Sequence, residues 1–364
     1  MRTGPKRARL VVLAAALSAA LTMICLGGDA GSSRASGRLA PDFTLTSTSR
    51  GDTLTLSESS GQPILLVFYD AGDMPSRHAM PYVAEWHRRY AGDGLEVIGI
   101  HSSEFEPMRI LYNALEAGGS AGVTFPVGMD FDRTVYGAYG IKTLPTYFVL
   151  KPGLEVVLET SEIKPYKEVE TAIQSVLAEI KPGIVNPFLV KPLRPADDPA
   201  NKILRGTSRV VLGYQAGTIA DCDSADYDKF INYTDSGGRE KGKVYLQGYW
   251  KVGPNCISHE RKYGSSNDHL RIIYSGKDVW LLPWFAYDTF QRVYVKQDRV
   301  YLDYAEWGKD MTGDETGKPY VYIRYSVPAN VVSNRTFGMH ELELMPVDGD
   351  VAFCMLFFDD GVAE

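Results

Sequence analysis

The residues best suited to chemistry in this chain are three cysteines, Cys222, Cys256 and Cys354, and a short polar turn that holds Asp73, Ser76 and His78. Cysteine acts in redox chemistry as a thiolate that attacks a second sulfur, and none of the three is near the turn in sequence. No cysteine occurs between Cys25 and Cys222. Cys222 and Cys256 stand in polar, turn-like surroundings, IADCDSAD and VGPNCISHE, whereas Cys354 lies within the apolar run VAFCMLFF. In an oxidising compartment the expected pair is therefore Cys222 with Cys256, a bridge that would stabilise by about 2–4 kcal/mol. Cys354 then reads as an inert core thiol. At the turn, a carboxylate, a hydroxyl and an imidazole would suit hydrolysis only if the fold arranged them as a triad. The simpler expectation is that Asp73 caps a helix, with Met74, Pro75 and Ser76 as its first turn.

The elements around that turn define its setting. Ile64 to Tyr69 (ILLVFY) is continuously apolar, as in a strand buried on both faces. After the turn, Met80, Val83, Ala84, Trp86, His87 and Tyr90 recur at near-helical spacing up to Gly92. Leu95 to His101 reads as a second buried strand, Pro107 to Ala117 as a helix, and Phe125 to Met129 as a short extended piece. Tyr147 to Leu150 and Val156 to Glu159 flank a turn at Lys151 to Leu154, and Tyr166 to Ile180 is a closing amphipathic helix. Strands that alternate with helices and end in a hairpin imply an α/β layer around a mixed sheet.

The segments APDFTL, GQPILLVFYDAGDMPSRHAMP, LEVIGIH and YGIKTLPTYFVLKPG together resemble the redoxin branch of the thioredoxin superfamily, in its TlpA-like form. The resemblance spans residues 39–180 and implies a thioredoxin-like domain. It also implies that Leu144 and Pro145, within Thr143 to Thr146, form the family's cis-proline loop facing the helix N-terminus and able to pair with an extended peptide. The family's WCxxC motif falls on this same turn, with its cysteines at Asp73 and Ser76 and its tryptophan at Gly72. A carboxylate and a hydroxyl cannot form a mixed disulfide, so thiol redox at this turn is excluded by composition.

Residues 181–202 carry five prolines between Pro182 and Pro199 and read as an extended, stiff connector. From there to residue 364 short apolar segments alternate with Gly, Asp, Asn and Pro turns, without helical periodicity. An antiparallel β-sandwich of jelly-roll type is expected. The phrases GTSRVVLGY, VYLQGYW, ISHE, HLRIIYSGKDVWLLPW and GMHELEL are similar to the C-terminal domain of DipZ-type thiol-disulfide proteins. That resemblance implies a carbohydrate-binding-module-like sandwich. Most aromatics here are expected in the core, with Trp250, Trp280 and Trp284 as a candidate binding face. His259, His269 and His340 are isolated, so no metal site is expected, and no cofactor is implied.

Residues 1–30 are of another kind. Arg2, Lys6, Arg7 and Arg9 precede an uncharged apolar run over residues 10–28, the layout of an export signal or an N-terminal anchor attaching the chain to a membrane. Either places the mature protein outside the cytoplasm, in the periplasm or cell envelope. With 45% hydrophobic and 23% charged residues the remainder is a folded protein, and a net charge of -7 argues against a nucleic-acid partner. The leading expectation is an exported thioredoxin-fold protein without redox cysteines, binding a polypeptide or a glycan. The alternatives are a thiol-disulfide oxidoreductase or antioxidant-family enzyme using Cys222 and Cys256, and an architectural envelope protein.

Overall fold

The computed structural model describes residues 33–34, 37–161, 164–260, 267–284, 291–347 and 350–363. The apolar run proposed as a signal or anchor lies outside them. Among the described residues no helix is long and apolar enough to cross a membrane. Residues 31–364 form one compact unit.

Its α/β part is built on a six-stranded mixed sheet. The strands are β1 (Ser33–Arg34), β2 (Ile64–Tyr69), β3 (Glu96–His101), β4 (Val127–Met129), β5 (Thr146–Lys151) and β6 (Glu155–Thr160), in the order β1-β6-β5-β2-β3-β4. β2 is central, parallel to β3 and antiparallel to β5. All six of its residues are buried, because successive side chains alternate between two cores. Leu65, Val67 and Tyr69 join a core with helices α1 (Met74–Tyr90), α2 (Leu111–Ser120) and α4 (Tyr166–Ile180). Ile64, Leu66 and Phe68 face the opposite way, toward Val135 on the short helix α3 (Thr134–Ala138) and toward Tyr139 and Ile141. Burying each such side chain contributes about 1.5–3 kcal/mol, so β2 anchors both layers.

The connector does not stand free. Tyr82 accepts a hydrogen bond from the Leu193 amide and donates one to Asp197, which also pairs with Arg194. Glu170 of α4 accepts from the Val190 amide, and Arg89 of α1 donates to the Phe188 carbonyl. The bonds of Tyr82, Arg89 and Glu170 tie the proline-rich segment to α1 and α4.

Beyond it the chain is an antiparallel all-β assembly. Its strands are β7 (Val210–Val211), β8 (Phe230–Tyr233), β9 (Val244–Val252), β10 (Ile257–His259), β11 (His269–Trp284), β12 (Gln291–Gln297), β13 (Val300–Tyr301), β14 (Met311–Gly313), β15 (Pro319–Ile323), β16 (Ala329–Pro346) and β17 (Val351–Phe358). One hydrogen-bonded network joins all eleven, in the order β7-β17-β10-β9-β11-β16-β12-β15-β14, with β8 on β9 and β13 on β12. The network closes on itself: β11 pairs with β9 through its first half and with β17 through its second, while β10 bridges β9 and β17. Closure leaves β9, β10, β11 and β17 paired within the ring, while β7 and β14 stand at the ends of the strand order. The stretch Ser275 to Asp278, which reads as a turn, is instead a register shift within the single strand β11. Long-range pairing with β16 on both sides of Gly276 overrides the local turn signal.

The expected Cys222–Cys256 bridge is replaced by a Cys256–Cys354 disulfide. Strand pairing explains the change. β10 runs antiparallel to β17 with Ile257 opposite Phe353, which sets Cys256 across from Cys354. Cys222 is the free thiol, half-buried, with its Sγ 3.3 Å from the Tyr233 hydroxyl. Alkylation of the folded, non-reduced protein is expected to modify Cys222 and to spare Cys256 and Cys354. Replacing both paired cysteines by serine should cost about 2–5 kcal/mol in denaturant unfolding, against less than about 1 kcal/mol for Cys222→Ser.

Candidate functional site

Asp73 caps α1 as its sequence position implies, accepting a hydrogen bond from the Ser76 amide at 3.4 Å, with Pro75 in the first turn. Both polar residues of the turn are buried: Asp73 is 7% exposed and Ser76 fully enclosed. The Ser76 hydroxyl accepts from the Asp70 amide at 3.2 Å and donates to Asp73 Oδ2 at 3.4 Å. His78 turns away, its Nε2 lying 3.3 Å from Asp359 Oδ2. The three residues therefore form no triad. Gly72 shows a related departure. A Cβ there would meet Met108 Cγ at 2.7 Å, so the fully buried Met108 occupies space that any larger residue at this position would need.

The turn also holds groups that the motif comparison misses. Asp70 directly follows β2 and His101 ends the neighbouring strand β3, and their side chains approach to 3.7 Å. Asp70 accepts from the Ser103 hydroxyl at 2.7 Å and from the Gly72 amide at 2.8 Å. A sequence signal existed, because the carboxyl ends of adjacent parallel strands are where open α/β sheets place ligands. Burial dominates the electrostatics of this cluster. It pushes the Asp70 carboxyl up to about 6, against the opposing hydrogen bonds of Ser103 and Gly72. Burial, reinforced by the charge of Asp70, pushes Asp73 up to about 7. Burial also lowers His101 to about 4, leaving it neutral at physiological pH. The cluster can hold protons near neutrality, but it contains no sulfur with which to exchange a disulfide.

The β assembly covers the start of α1. Arg209 reaches Asp73 Oδ1 at 3.5 Å. Arg77, one residue beyond Ser76, lies 5.6 Å from the Trp280 ring of β11, and Trp280 donates to Asp359 Oδ2 at 3.2 Å. Burial alone would raise the Asp359 carboxyl, but the hydrogen bond and charge of His78, with the charge of Arg194, bring it below its ordinary value. Leu282, Met355 and Phe357 complete the same apolar core as Met74, Met80 and Met108. The Leu144–Pro145 peptide is cis, and both residues are half-exposed.

The three candidate tryptophans do not form one face. Contrary to its expected place on a binding face, Trp250 is fully buried against His259 and Phe353, which lie on the paired strands β10 and β17. Trp280 sits half-buried at the junction with α1, and Trp284 is half-buried on β11 where that strand pairs with Ala352.

A central mixed sheet flanked by helices, a capped helix leaving the central strand and a cis-proline loop before the next strand define a thioredoxin-fold protein. Residues 36–158 match the AhpC/TSA family, and the chain belongs to that family, with thiol-disulfide oxidoreductases among its relatives. The thiol-disulfide oxidoreductase ResA of Bacillus subtilis (strain 168) is 31% identical over 144 residues, covering 40% of this chain and 75% of ResA. Protein DipZ of Mycobacterium tuberculosis (strain CDC 1551 / Oshkosh) is 23% identical over 235 residues, or 63% of this chain, so that similarity reaches into the β assembly. The match spans 32% of DipZ's own length. A thioredoxin-family thiol:disulfide interchange protein from Chlorobium tepidum TLS aligns with a TM-score of 0.34 at 20% identity, covering 40% of this chain and 99% of that structure.

The raised carboxyl at Asp73 sets a pH dependence. Between its ordinary value of 3.8 and about 7 the folded state holds more protons there than the unfolded state, so stability falls as pH rises through this window. Asp73→Asn keeps a capping oxygen without the buried charge. Its stability relative to the wild type should improve by on the order of 1–2 kcal/mol from the acid end of the window to the neutral end, in urea unfolding.

Proposed function

We propose that this chain is an extracytoplasmic member of the thiol-disulfide oxidoreductase group of thioredoxin-fold proteins, and that it binds extended polypeptide at the cis-proline loop without exchanging disulfides at the adjoining turn. One observation carries this reading. Asp73 and Ser76, at the turn where the resemblance to the family expects its two cysteines, are buried and engaged with Asp70 and Arg209, while Leu144 and Pro145 remain half-exposed. Backbone pairing alongside such a loop recognises an extended chain whatever its sequence. The basic and then apolar layout of residues 1–28 supports export, as does the Cys256–Cys354 disulfide. The partner is an exported polypeptide.

The family itself favours a second reading, thiol-disulfide exchange carried by the cysteines of the β assembly. Cys256 and Cys354 form the couple in that case, with Cys222 as the free thiol, in place of the Cys222–Cys256 couple expected from sequence. Two measurements separate the readings. On the first, the wild type does not accelerate insulin reduction, and reduced, carboxymethylated α-lactalbumin protects the amides around Leu144 to Tyr147 from hydrogen exchange, equally in Cys256→Ser/Cys354→Ser. Insulin reduction that disappears in that double variant would replace the first reading with the second.

A further inference from the structure

Where α1 and α2 meet the β assembly there is a cavity of about 670 Å³, lined from the α/β side by Arg77 and Ser120 and from the β side by the segments around Lys309 and Tyr322 to Ala329. This volume falls within the range of small-molecule sites. Arg77, Lys309 and Arg324 line it against the single carboxylate of Asp310, a surplus of two positive charges. That sign is opposite to the net charge of the whole chain, which is -7.

Arg77 gives the site a fixed floor. Its side chain is 5% exposed. The guanidinium is held by the Ala117 carbonyl at 2.8 Å, the Ala71 carbonyl at 3.1 Å and the Ser120 hydroxyl at 3.0 Å, all neutral acceptors. Among the described residues no carboxylate lies within ion-pair distance of it. Burial lowers its affinity for a proton, with the more distant Asp310 opposing, to a pKa of about 10. A buried cation oriented by neutral groups keeps its charge available to an incoming anion. Flat apolar surface adjoins that charge. Arg77 and Lys309 both lie over the Trp280 ring, at 5.6 and 5.1 Å, and Tyr322 and Tyr325 form part of the wall, the latter edge-on to the exposed Tyr112.

We propose that this junction cavity is a binding site for a small organic anion: a molecule with one carboxylate, sulfonate or phosphate group set against Arg77 and Lys309, and an aromatic or apolar body set against the tyrosines. The site is separate from the cis-proline loop, and its occupancy does not depend on polypeptide binding there.

Naphthalene-2-sulfonate and its uncharged analogue 2-naphthol serve as probes in isothermal titration against the full chain. The sulfonate is expected to bind saturably with a stoichiometry of one, at least about tenfold more tightly than 2-naphthol. Lys309→Glu/Arg324→Glu should weaken the sulfonate about tenfold or more and leave 2-naphthol unchanged. Lys309 and Arg324 are exposed, so this variant should fold, and an unaltered thermal unfolding curve checks that it does. The proposal is overturned by absent saturation at millimolar sulfonate, by equal affinity for the two probes, or by sulfonate binding that survives the charge reversal in a folded variant.

Discussion

The contact between the N-terminus of α1 and the β assembly governs the rest of this molecule. Three polar links cross it: Arg209 to Asp73, His78 to Asp359, and Arg77 to Trp280. Beneath them Leu282, Met355 and Phe357 extend the apolar core that begins on β2. A helix N-terminus with an accessible thiolate is a reactive site, because the helix dipole stabilises the anion. Here the same place is desolvated and capped by a carboxylate. The reactive geometry of the fold has become an internal contact.

That contact gives the buried carboxylates their character. Neither Asp70 nor Asp73 is fully compensated: Arg209 approaches Asp73 only at 3.5 Å, and Asp70 relies on Ser103 and the Gly72 amide. Their raised affinity for protons follows from removal of water, and an unpaired buried charge is costly. Arg77 is the complementary case, a buried cation satisfied by carbonyls and one hydroxyl. Asp70 and Arg77 are thus buried near one junction, each held by neutral hydrogen-bonding groups. This leaves a region of negative character at the turn and one of positive character in the neighbouring cavity.

Membership of the AhpC/TSA family and the absence of sulfur at the turn are compatible, because different residues carry the fold and the chemistry. The fold rests on β2, on the α1 and α4 core and on the cis-proline loop, all of which persist. Exchange needs sulfur, and no cysteine occurs between Cys25 and Cys222. Met108 fills the space beside Gly72, and Ser76 bonds the Asp70 amide, so both residues fit their surroundings.

The sequence alone determined whatever depends on local chemistry or short periods. The unbroken apolar run of β2, the helical spacing of α1 and α4, the capping role of Asp73 and the lack of sulfur at the turn were all legible, because each is decided by residues a few positions apart. Tertiary structure decided what depends on partners distant in the chain. Cys256 and Cys354 are separated by 98 positions and meet only because β10 lies beside β17. The apparent turn at Ser275 to Asp278 stays extended because β16 pairs on both sides of it. Trp250, an aromatic whose composition allows a surface role, is fully buried on β9 between its partners β8 and β10. The turn after Tyr69 shows both sides of this division. Its composition ruled out disulfide exchange there, and the packing of the β assembly over it, invisible in any local pattern, turned it from an open site into a buried, proton-holding contact.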